Sequence, residues 1–168
     1  MTRPIPYTLL QTWKQECRTL IQSPSPSSLF LHNLPKLELH IHIEGTLSPT
    51  LRHRLAARNH LLPLTSNSPL HPQKEIHTLL QLHSLYDNLL SPISTKGPGP
   101  SAFFEAYYGS MEVLVHEEDF YDLAIEYFRH AAKMNIRYCE PMFDAQAHTR
   151  RGVEMETFMK VFAREDRC

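Results

Sequence analysis

The chain has 168 residues, 42% of them apolar and 21% charged, with a formal net charge of -1 and a sequence pI near 6.8. Such a composition excludes the disordered and membrane-embedded classes, and a charge so close to zero excludes attraction of nucleic acid or anionic lipid by net field alone. Cys17, Cys139 and Cys168 are odd in number and form no C-x-x-C pair, which argues against a disulfide framework and against a cysteine zinc site. Arg3, Lys14, Glu16 and Arg18 interrupt the first apolar residues, so no signal peptide is expected. The expected compartment is the cytoplasm, with the nucleus as an additional one.

In chain order, Leu9, Leu10, Trp13, Cys17, Leu20 and Ile21 predict a helix over 7–21, stopped by the Ser/Pro run from Ser23 to Ser28. Residues 1–30 read as a helical arm. From Leu37 to Glu44 the sequence alternates, with Leu37, Leu39, Ile41 and Ile43 on one side and Glu38, His40, His42 and Glu44 on the other, a strand ended by Gly45. Ser48 as N-cap and Pro49 at the first helical position predict a helix to about Arg58. Residues 61–101, rich in Pro, Ser and Leu, read as a flexible insert containing one helix near 74–90.

A helix is expected from about Ala102, with Phe103, Phe104, Tyr107, Tyr108, Met111, Leu114 and Val115 on its apolar face. Core packing is favoured for its aromatic residues over a purine-stacking platform. A second helix is expected with Asp119 as its N-cap and Phe120, Leu123, Ala124, Tyr127, Phe128 and Ala131 at helical spacing, ending near Asn135. Ile136 to Phe143 reads as a strand, followed by a polar loop and a short helix from about Glu154. Crossovers of this length join parallel strands, so an α/β architecture is implied.

His40 and His42, two apart on one strand, place both imidazoles on the same face about 7 Å apart, within reach of one metal ion, with Glu44 beside them. Eleven histidines would yield roughly 0.7 His-x-His pairs by composition alone, so the dipeptide is weak evidence by itself. A half-exposed antiparallel strand with both rings in water is the competing reading. His148, after the second strand, reads as a solvated loop residue. Arg150 and Arg151 read as solvated or as capping the next helix, and Asp144 and Gln146 as the floor of a pocket.

The string LPKLELHIHIEGTLSP, Leu34 to Pro49, resembles the segment that opens the barrel of adenosine and adenine deaminases. The block from Ala102 to Phe162 is similar to the helices, second strand and His-Thr-Arg-Arg-Gly loop that follow in the adenine deaminase branch. The resemblance implies a partial (β/α)8 TIM-type barrel made of the first two βα units, spanning 31–168 with a helical excursion. It implies zinc as cofactor, held by His40 and His42 as the first two ligands, and Glu44 as the substrate-binding carboxylate. The implied reaction is hydrolytic deamination of adenine to hypoxanthine with release of ammonia, in purine salvage. Glutamate at 44 favours adenine over adenosine, because the longer side chain takes the space a ribose would need.

No catalytic proton-transfer residue is identifiable, since the family's glutamate and its third histidine ligand lie in later strands. The chain is therefore expected to be inactive alone; adenosine deaminase is the enzymatic alternative, and a non-catalytic interaction fragment the alternative from another class. The expected partners are a small purine, no nucleic acid and no membrane, with self-association through exposed strand edges. Pro141, inside the second strand, and Ala145, where the family has proline, depart from the pattern.

Overall fold

The computed structural model describes residues 7–22, 26–66, 74–90, 104 and 107–162. The elements are α1 (Tyr7–Gln22), α2 (Pro26–Asn33), β1 (Lys36–His42), α3 (Pro49–Arg58), β2 (Leu64–Ser66), β3 (Lys74–Ile76), α4 (Leu79–Leu90), α5 (Glu117–Lys133), β4 (Ile136–Met142), α6 (Ala145–Thr149) and α7 (Met155–Phe162). Short 3-10 turns follow β1 at Ile43–Thr46 and precede α5 at Met111–Val113. The expected helix start near Ala102 and the tract 91–101 lie outside the described residues. None of the described helices is long and apolar enough to cross a membrane.

β1 pairs with β4 in a two-stranded parallel sheet, and β2 pairs antiparallel with β3. The chain divides into two compact units. Met1–Glu38 with His130–Cys139 forms one, and holds the amino-terminal halves of β1 and β4. Within it, Lys36 N donates to Asn135 O at 3.0 Å and Lys36 Nζ to Met134 O at 2.9 Å. The other unit, Leu39–Arg129 with Glu140–Cys168, carries the carboxyl-terminal halves of both strands and all of α3, α4, α6 and α7. Its core is built from Leu51 and Leu55 of α3, Ile76, Leu82, Phe120, Leu123 and Phe158, each at most 2% exposed.

Local sequence chemistry explains most boundaries. Ser48 Oγ accepts from Leu51 N at 3.1 Å and Pro49 opens α3, as predicted. Three expectations are corrected. The Ser/Pro run does not stay open, because α2 starts at Pro26, a residue suited to a first helical turn. The helix expected over 74–90 is a strand and a shorter helix: Ile76 pairs with Leu64, both buried, and α4 begins only after Thr78. Thr78 Oγ1 accepts from Gln81 N while Gln81 Oε1 accepts from Thr78 N, a reciprocal capping box that fixes this start.

The third correction concerns Asp119, which lies inside the first turn of α5 and is not its N-cap. Its Oδ2 accepts from His116 N at 2.7 Å, Val115 N at 2.9 Å and Asn59 Nδ2 at 2.8 Å. Arg58 closes on Oδ1 through Nε and Nη2, and its Nη1 reaches Asp122 at 2.9 Å. On the apolar side of β1, Leu37 and Leu39 are 65% and 53% exposed, whereas Ile43, just past the strand, is buried.

Burial alone would push the Asp119 carboxyl up. The backbone N–H groups of His116 and Val115 and the side chains of Arg58 and Asn59 outweigh it and hold the group below its ordinary value. A depressed carboxyl contributes stability that is fully present above its unfolded pKa of about 3.9 and is lost as pH falls through the lower folded value. Asp119→Ala, which strands five donors from four residues around a vanished carboxylate, is expected to cost about 3–5 kcal/mol at neutral pH. Denaturant melts of both proteins from pH 7 downward should show the gap narrowing only in the acid range.

Candidate active site

β1 ends at His42, and the tight turn that follows drops Ile43 and Glu44 out of water, both 1% exposed. His40 has φ 60, a left-handed backbone that non-glycine residues rarely take and that interrupts the pleat between Leu39 and Ile41. The two imidazoles nevertheless lie together, with ring centroids 5.7 Å apart at 61°. The antiparallel half of the competing reading fails, since β1 has a parallel partner, while its exposure half is met in part: His40 is exposed and the His42 side chain is 39% exposed.

Residues just past β4 complete the constellation. Asp144 N donates to Glu44 Oε1 at 2.8 Å, and His148 Nε2 lies 3.1 Å from the same oxygen. Asp144 precedes α6 but does not cap it with its side chain. Instead Oδ2 accepts from Tyr107 Oη at 2.9 Å, and Oδ1 sits 3.4 Å from His42 Nδ1. That last separation exceeds a well-formed hydrogen bond, and His42 Nδ1 and Glu44 Oε2 have no hydrogen-bond partner among the described residues. Tyr107 stacks edge-on against His42, with centroids 6.0 Å apart.

His148 is a correction. Its expected place in a solvated loop is instead a helical position with no exposure, in a cage of Phe120, Phe143 and Phe158. The Phe143 ring lies nearly parallel to it at 4.8 Å. Arg151 is exposed, as expected, yet its guanidinium is engaged: Nη2 donates to Leu114 O at 3.1 Å and to His148 Nδ1 at 2.8 Å, and Nε donates to Ala147 O. Burial draws its guanidinium below the ordinary value, against the opposing pull of the Glu112 carboxylate. A pocket of about 490 Å³ adjoins the network at Asp144 and is lined also by Tyr108, Glu112, Gln146 and Arg150, in keeping with the expected role of Asp144 and Gln146.

Sequence reasoning missed Tyr107, His148 and Arg151 as members of this network. The available signal was the rule applied to His42 and Glu44, that barrel sites gather at the carboxyl ends of strands. Applied to β4, it nominates the polar run from Asp144 to Arg151.

Two imidazoles are ordinary zinc donors. The Asp144 carboxylate stands 3.4 Å from Nδ1 of His42, on the side where metal-bound histidines commonly find an outer-shell carboxylate, although no hydrogen bond joins the two. They make an incomplete set, since a catalytic zinc usually takes three protein ligands. Among the described residues no group of three or more His, Cys, Asp or Glu side chains is arranged to hold a metal ion.

Burial, the Asp144 hydrogen bond and the neighbouring Glu44 and Asp144 carboxylates all raise the Tyr107 hydroxyl well above a tyrosine's ordinary value. A raised phenol favours the folded state most below its unfolded pKa of about 10 and loses that contribution as pH climbs further. In an alkaline titration followed by tyrosinate absorbance, one of the seven tyrosines should ionise after the others, and Tyr107→Phe should remove that last step.

The model of the family described as adenosine deaminase matches residues 35–166. An uncharacterized deaminase of Schizosaccharomyces pombe is 41% identical over 139 residues, 82% of this chain and 35% of that protein. An adenine deaminase of Chlorobium luteolum is 41% identical over 131 residues, covering 78% of this chain and 33% of its own length. The crystal structure of adenine deaminase from Arthrobacter aurescens superposes with a TM-score of 0.57 at 34% identity, over 77% of this chain and 35% of that one. The chain thus spans about a third of the length of these relatives, and its fold is the expected α/β class, a partial barrel of two βα units. With the match running from residue 35 through β1, β4 and the short helix α6 that holds His148, the chain belongs to the adenosine deaminase family.

Proposed function

We propose that this chain contributes the first two metal ligands and the base-contacting carboxylate to a zinc-dependent hydrolytic deamination of adenine, giving hypoxanthine and ammonia. The observation that carries this reading is Glu44: a carboxylate 1% exposed, with Oε1 doubly engaged and Oε2 lacking a partner, two residues from a His-x-His pair. A buried acceptor without a donor is costly unless a ligand completes it. A ring N–H of a free purine base would do so. The names of the relatives from Chlorobium luteolum and Arthrobacter aurescens support adenine as that base.

His40 and His42 would hold the zinc ion, with His42 Nδ1 facing Asp144 and Nε2 left to coordinate. When bound, zinc supplies a Lewis acid able to activate water near neutral pH. Tyr107, by donating to Asp144, holds the carboxylate in place beside the His42 ring. The reading requires a third ligand and a proton-transfer glutamate from outside the described residues. A complete barrel usually takes about 250 residues, in which those groups have room.

The test is a graft. Residues 35–166 replace the matching segment of the Schizosaccharomyces pombe deaminase, and ammonia release is followed with adenine and adenosine side by side. Turnover of adenine in preference to adenosine is expected, with His42→Ala lowering it by at least about 100-fold. A preference for adenosine, or indifference to His42→Ala, would overturn the assignment. In the same graft Glu44→Asp should move the activity ratio towards adenosine, because the shorter side chain vacates space beside the base. An unchanged ratio would count against Glu44 as the specificity position.

A further inference from the structure

Glu44 does not set its own geometry. A glutamate carboxylate on three rotatable bonds finds many orientations unless its oxygens are engaged. Here one oxygen receives Asp144 N–H at 2.8 Å and His148 Nε2 at 3.1 Å, and the other receives nothing from the described residues. The identity of the second donor depends on which nitrogen of His148 carries its hydrogen. Arg151 settles that. A guanidinium can only donate, so its 2.8 Å contact with His148 Nδ1 requires a bare nitrogen there, and the ring hydrogen must sit on Nε2, facing Glu44.

The rest of the surroundings lock the chain of contacts. Phe143 stacks on the imidazole, while Phe120 and Phe158 hold its edges, so the ring cannot turn over without opening a core in which both phenylalanines are fully buried. Arg151 is itself fixed by the carbonyls of Leu114 and Ala147. We propose that Arg151 and His148 are positioning residues for Glu44: Arg151 fixes the His148 tautomer, and His148 pins Oε1 so that Oε2 is the oxygen presented to a ligand N–H. Neither residue needs to touch the ligand. The presence of the ligand rests on the function proposed above, whereas the relay stands on this geometry alone.

The experiment uses the whole chain labelled with 15N, whose His148 ring signals are identified by their loss in His148→Gln. Two-bond 1H–15N correlations should show a bare Nδ1 and a protonated Nε2. Arg151→Met, at the outer end of the relay, should collapse that pattern towards a mixture of tautomers, with the methyl spectrum of the core unchanged. Exchange of the Asp144 amide hydrogen, which reports the pinned carboxylate, should speed up by about tenfold in Arg151→Met and in His148→Leu, and recover in His148→Gln, whose amide can still donate.

A hydrogen on Nδ1 in the parent chain, an unaltered tautomer in Arg151→Met, or no recovery by His148→Gln would each overturn the relay. Calorimetric titration with adenine separates this proposal from the function. If the relay signatures hold while adenine fails to bind the graft described above, the substrate reading falls and the positioning role stands.

Discussion

The carboxylate of Glu44 is held out of water by donors that lie 100 and 104 residues further along the chain. A carboxylate in that position is tolerable only if those donors arrive, so the segment after β4 has to fold back over the end of β1. That requirement explains α6. Five residues are too few for a stable helix in isolation, yet the turn brings Asp144 N and His148 Nε2 to one oxygen and seats His148 among three phenylalanines. Because the backbone of Asp144 serves Glu44, its side chain is left for Tyr107 and His42, and one buried charge organises both neighbours of the histidine pair.

Elsewhere single side chains fix where the elements that lead into β4 begin and end. Asp119 fixes where α5 begins by gathering backbone and side-chain donors from Asn59, Val115 and His116. Asn135, at φ 58, ends the helical run in the left-handed conformation that asparagine tolerates, and its carbonyl accepts from the first residue of β1. Pro141 is accommodated within β4 because each strand of a two-stranded pair keeps one edge free of ladder bonds. Ala145 takes the first position of α6, where proline is also at home, so that departure from the family pattern leaves the turn intact.

Much of this was legible in the residues. The period of two from Leu37 identified β1 and put His40 and His42 together, although the strand ends at His42 and Glu44 lies in the turn beyond it, and the helical spacing from Phe120 to Ala131 identified α5. What could not be read depends on tertiary neighbours. Thr78 and Gln81 carry a capping box, but the apolar spacing around them fits a longer helix until Ile76 is seen paired with Leu64. His148 sits in a polar run, and nothing local distinguishes it from a solvated residue. Its burial is created by Phe120, Phe143 and Phe158, which come from three separate parts of the chain. Tyr107 was visible as an aromatic, but its hydroxyl acquires meaning only opposite Asp144.

The left-handed backbone at His40 changes how any replacement there would have to be interpreted. Alanine would delete the imidazole and keep a conformation that costs an ordinary residue roughly 1 kcal/mol or more, so a weakened variant would mix loss of the ring with lost folding. Asparagine, which visits that region more readily, removes the ring while sparing the main chain, and glycine relaxes the main chain altogether. The pair of substitutions, compared with one another, separates what the side chain does from what the bend does.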